Sequence, residues 1–204
     1  MCGELLIFSE SAIRHTHANA ILEFWFGHDE PVSADHQRRW FAADASFDRL
    51  CVERFAGDHA AAAAGELDQW KREPRSSLAL VILLDQFPRN MFRNTSRAFA
   101  TDTAALGVAR GAIAEGFDRQ LPPLRRVFFY MPFHHSEQIT DQDESVRLCR
   151  ELARDHPECA GFLRYAESHR EVIRRFGRFP LRNGVLNRAS TPDEIDYLRE
   201  HSGY

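Results

Sequence analysis

Apolar residues recur at three- and four-residue spacing through nearly every long segment of this 204-residue chain, and nowhere alternate with polar ones between Gly or Asn turns. One face of a helix repeats every 3.6 residues and one face of a strand every two, so the pattern restricts the chain to helices. The chain reads as all-α. Residues 17–26 carry Ile21, Leu22, Trp25 and Phe26 and stop at Gly27. Ser33 and Asp44 are N-caps, the second for a long helix through Phe47, Cys51 and Phe55 that ends near Gly65. Ser76 or Ser77 opens the next, Asp102 caps one that ends at Gly116, and Pro122-Pro123 start another that Pro132 interrupts. Thr140–Arg154 follows, then a stripe of Cys159, Phe162, Leu163, Ala166, His169, Ile173 and Phe176 that closes at Gly177. Thr191-Pro192-Asp193-Glu194 is a capping box with proline at the first helical position. About nine helices on short loops predict antiparallel hairpins stacked on one another. Residues 1–18 read as a tail and 19–204 as one helical domain, a length that buries a single core.

Within that frame, two corners share residues. Phe87-Pro88-Arg89-Asn90 closes the most apolar stretch, and Phe179-Pro180-Leu181-Arg182-Asn183 follows Arg174-Arg175-Phe176-Gly177-Arg178. Leu181 shifts the register of Arg and Asn relative to proline, so these are two helix-ending corners rather than a duplication. Asp85 falls at i+7 from Leu78 behind Val81 and Ile82, which places a carboxylate on an apolar stripe, one turn before Arg89. Between Val172 and Pro192 stand Arg174, Arg175, Arg178, Arg182 and Arg188 and no acid. Guanidinium forks of this kind suit carboxylate or phosphate, or else acids of the protein itself such as Asp85, Glu137 and Asp141. His134-His135-Ser136-Glu137 adds groups that transfer protons near neutral pH. Adjacent histidines point in different directions on a helix, so no metal site is expected. His169, on the stripe, reads as a hydrogen-bonded core histidine.

The remaining composition excludes more than it assigns. A net charge of −4 gives no general attraction to nucleic acid or an anionic membrane. The longest apolar run, Leu78–Leu84, is far short of a membrane span. Cys2, Cys51, Cys149 and Cys159 are too scattered for a disulfide framework or zinc ribbon and predict reduced thiols in a cytoplasmic protein. Leu5-Leu6-Ile7-Phe8 is too short for a secretion signal and follows Glu4 where positive charge belongs. Neither a dinucleotide or phosphate loop nor a GxSxG elbow is present, so no cofactor is expected.

Four ordered segments carry a family resemblance: Ile21–Gly27 (ILEFWFG), Leu78–Asn90 (LALVILLDQFPRN), Phe129–Glu137 (FYMPFHHSE), and Arg175–Asn183 (RFGRFPLRN) with Thr191–Glu194. On these the chain resembles the bacterial family known as domain of unknown function 924, from about residue 19 to 200. The resemblance implies an all-helical fold similar to a tetratricopeptide-like right-handed superhelix and brings no established activity. The family usually has His where Leu181 stands and Leu-Glu where Phe133-His134 stands.

Two functions are compatible with these residues. In one, Asp85, Gln86, Arg89, Asn90, His169, Arg175, Arg178, Arg182 and Asn183 line a polar pocket for a small anionic ligand, with His135 and Glu137 for acid–base chemistry. In the other, a concave helical scaffold binds a peptide or protein partner, and the same polar motifs hold its turns together.

Overall fold

The structure is a computed structural model that describes residues 10–28 and 31–201. It is built from α1 (Glu10–Phe26), α2 (Ala34–Arg39), α3 (Ala45–Ala63), α4 (Pro74–Val81), α5 (Phe87–Met91), α6 (Asp102–Ala114), α7 (Pro123–His135), α8 (Ile139–Asp155), α9 (Ala160–Phe176) and α10 (Pro192–Glu200). A π-helical turn, Ile82–Gln86, joins α4 to α5 in one continuous rod, so the ten α segments form nine rods, and no strand occurs among the described residues. Cys2 and the run Leu5–Phe8 lie outside the described residues; α1, expected from residue 17, begins at Glu10.

The rod from α4 to α5 is central because its middle, Leu78–Leu84, is apolar on every side. Leu78 to Leu84 are all 2% exposed or less, and a helix hydrophobic all round has to be surrounded. Helices α1, α6 and α7 pack on α4, and α3 packs on α5 and the π turn. Trp25, Phe26, Trp40 and Phe128 interlock edge-to-face beside it at ring separations of 4.8–5.7 Å. From α6 to α9 each helix packs on the next, as the short loops predict. None of the described helices is long and apolar enough to cross a membrane.

Most caps form as expected: Ser33, Asp44 and the Thr191–Glu194 box all do so, and Gly177 ends α9 in the left-handed region at φ 68°. Three expectations are corrected. Helix α4 starts at Pro74, and Ser76 and Ser77 turn their hydroxyls onto the Trp70 carbonyl. Thr101, not Asp102, is the N-cap residue of α6. Pro132 does not interrupt α7, which continues to His135.

Candidate functional site

The site begins with a missing hydrogen-bond donor. Pro88 has no N–H, so the Leu84 carbonyl, four residues earlier, loses its helical partner. The chain answers in two ways. The Phe87 N–H bonds back to Ile82, five residues away, which makes the π turn, and the buried Thr101 hydroxyl donates to Leu84 O at 2.6 Å. Such single π turns re-aim the side chains they carry and are frequent at functional sites. Here the turn carries Asp85 and Gln86.

Asp85 is fully buried. Its Oδ1 accepts from His135 Nδ1 at 2.7 Å, its Oδ2 accepts from Gln86 Nε2 at 2.6 Å, and Arg89 Nη1 lies 3.4 Å from Oδ1. Burial pushes its pKa up, but the opposing charges of His135 and Arg89, with the hydrogen bonds from His135 and Gln86, hold the carboxyl well below the usual range. His135 is shifted down, by burial first and then by Arg89. At neutral pH the pair is an ionised Asp85 accepting from a neutral imidazole, which fixes the proton on Nδ1 and leaves Nε2 as the basic nitrogen. Gln142, wholly buried, holds this end of α7 by donating to the carbonyls of Phe133, His134 and Ser136.

His135 is a wall of a cavity of about 340 Å³, inside the range of small-molecule sites. Gln86, Arg89, Asn90, His169 and Arg182 line the same cavity, with Asp85 behind them. Arg89, Arg93 and Arg182 contribute to the wall, and among the described residues no Asp or Glu lines it. The balancing acids sit behind. Asp102 takes Arg89 as a fork at 2.9 and 3.0 Å and lies 3.5 Å from Arg182, so the two Phe-Pro corners meet on one carboxylate. Asp48 accepts from Asn90 at 2.8 Å and from Arg93 at 2.8 Å. Much of the rest of the wall is aromatic, with Trp40, Phe99, Phe162, Tyr165 and Phe179, and Ala42, Ala98, Met131 and Leu181 add aliphatic surface. Arg182 lies over the rings of Phe99 and Phe179 at 4.7 and 4.5 Å.

Other expected residues lie elsewhere. Among the arginines from Arg174 to Arg188 only Arg182 is a cavity wall. Arg178 forks onto Glu194 at 2.6 and 2.7 Å, and Arg175 lies over the ring of Phe176 at 4.6 Å. Glu137 accepts from both Nη atoms of Arg188 at 2.7 and 3.0 Å and from the Phe179 N–H at 2.8 Å. Burial raises its pKa, yet these donors hold it below the usual range. Asn183 is buried between Ser190, Glu194 and Arg188. The closest acids of Arg178 and Arg182 are Glu194 and Asp102, with Glu137 acting on both at longer range, while Asp141, expected as a partner of this cluster, pairs with Arg110. His169 is buried, donates from Nδ1 to the Tyr165 carbonyl at 2.9 Å and forms part of the cavity wall. His134 points the other way from His135, toward Cys149 Sγ at 3.4 Å. Among the described residues no group of three or more His, Cys, Asp or Glu could hold a metal ion.

Three of the four segments quoted above, Leu78–Asn90, Phe129–Glu137 and Arg175–Asn183, contribute residues to this cavity, and Ile21–Gly27 packs in the core. The family described as "Bacterial protein of unknown function (DUF924)" matches residues 21–202. The chain belongs to the DUF924 family. A solved structure, "Structure of Protein of Unknown Function ATU0120 from Agrobacterium tumefaciens", is 43% identical, with a TM-score of 0.82 over 92% of this chain and 99% of that one. No curated protein matches this DUF924 chain.

Proposed function

We propose that the cavity binds a small anionic molecule, a carboxylate or phosphate, and that His135 exchanges a proton with it. The observation that carries this reading is the wholly buried Asp85 bonded to His135 Nδ1 in the wall of a cavity whose charged side chains are arginines. Burying a carboxylate is costly, and here its hydrogen bond orients an imidazole at a cavity. Arg89 and Arg182, pre-set by Asp102, are the anion grip. The setting is a reducing cytosol, in keeping with Cys51, Cys149 and Cys159, all buried and unpaired.

A second reading, in which the polar motifs serve a tetratricopeptide-like interaction scaffold, draws support from one observation: Arg178, Glu194, Glu137, Arg188 and Asn183 are spent on one another. These residues lock the α9–α10 corner.

A thermal-shift panel of mono- and dicarboxylates and phosphate monoesters tests the first reading. A ligand at 100 times its Kd adds about 2.7 kcal/mol, a rise of about 5–10 °C for a chain of this size. Arg182→Gln should remove that rise. No response from the native protein across the panel, or an equal rise in the variant, would refute the anion grip.

A further inference from the structure

Beyond the polar cavity the wall does not end. A second hollow of about 580 Å³ continues from it, and the two share Phe41, Phe162, Tyr165 and His169. Phe41 and Tyr165 are 56% and 43% exposed, and their rings stack at 6.1 Å with 24° between planes. Tyr197 and Gly161 complete the far wall. Among the described residues no acid lines this groove, and its charged or titratable members are Arg164, His169, His201, Tyr165 and Tyr197. Arg89, Arg182 and His135 thus line one end of a single trench, and Phe41, Phe162, Tyr165 and Tyr197 wall the other together with Arg164 and His201.

We propose that this trench takes one amphipathic ligand, a carboxylate with an unbranched apolar tail, whose head lies at His135 and Arg182 and whose tail runs between Phe41, Phe162 and Tyr165 toward Tyr197. The proposal rests on the anion reading of the cavity and adds the tail. Two large rings left stacked in solvent are surface that a tail would cover, and the continuity of the walls fixes where a tail leaving the head must go. Asp48, Asp85 and Asp102 balance the three cavity guanidinium groups, so the head is held by directional N–H donors rather than by excess charge, which suits a monoanion better than a dianion.

Calorimetric titration with butyrate, hexanoate and octanoate tests it. Each buried methylene should tighten binding about fourfold, so octanoate should bind about 200-fold tighter than butyrate. Gly161→Leu fills the groove from its wall. A Cβ built there meets only Arg164 Nη2 within 4 Å, at 3.9 Å, so the added side chain starts without a clash at its base. In this variant the series should flatten, and Phe41→Ala should shallow it. A native protein that binds all three acids equally would overturn the tail while leaving the anion grip intact. Gly161→Leu with an unchanged slope would place the tail elsewhere and also overturn it. No binding of any of the acids, with phosphates equally inert, would remove the anion reading itself.

Discussion

Acid should destabilise this protein well before its carboxylates titrate, and His169 allows the size of the effect to be worked out. Burial, only partly offset by its bond to the Tyr165 carbonyl, pushes its pKa down from 6.5 to about 4. The unfolded chain therefore takes up the proton first as pH falls. Stability is full above 6.5 and declines from there toward 4. At pH 5 the shift from 6.5 to about 4 amounts to about 2 kcal/mol lost relative to pH 8, and a fall in Tm of about 4–8 °C. His134 and His135, also shifted down, act in the same direction. Asp85, Glu137 and Glu194 are held below their ordinary values and release their stabilisation only at lower pH, so the window from 5 to 6.5 belongs to the histidines. Comparing native protein with His169→Gln by calorimetry at pH 8 and pH 5 isolates one of them. The variant should lose about 2 kcal/mol less between the two. An identical fall in both proteins would refute the assignment of His169 as a buried neutral imidazole.

Other outcomes follow from the same contacts. Thr101→Val leaves the Leu84 carbonyl unsatisfied and should cost about 1–3 kcal/mol in urea denaturation; Pro88→Ala restores the missing donor, so the double variant should lose less than the sum. Glu194→Ala should lower Tm, because its carboxylate serves Arg178, Asn183 and the Thr191 N–H, and leave the ligand-induced shift unchanged. Asp85→Asn should keep anion binding within a few-fold and sharply reduce proton exchange with a bound carbon acid, read by deuterium incorporation, because the imidazole loses the charge that orients it.

How far the sequence carried differs between the two halves of the site. Helix periods, caps and the apolar rod were legible because each is written in residues three or four apart. So was Asp85, since a carboxylate on an apolar stripe requires a partner. Its i,i+4 pairing with Arg89 was legible too, but its bond to His135 was not. The pairing with His135 is 50 residues distant and depends on a π turn that follows from Pro88 and Thr101 together. Asp102 read as a helix start, the ordinary role of an acid there, which hid its grip on Arg89 and Arg182. Arg93 and Asp48, wall and anchor, carried no local signal. The arginine run illustrates the reverse: five residues of one charge in one segment, of which the fold spends Arg178 and Arg188 on Glu194 and Glu137 and turns only Arg182 to the cavity.

The central claim, that Asp85 sets His135 as a neutral base at the cavity, is tested most directly by nitrogen-15 NMR of the imidazoles, with His135→Gln for assignment. His135 should titrate below 6.5, carry its proton on Nδ1 at pH 7 and lose that preference in Asp85→Asn. A His135 that is protonated on both nitrogens at pH 7, or that carries its proton on Nε2, would contradict it.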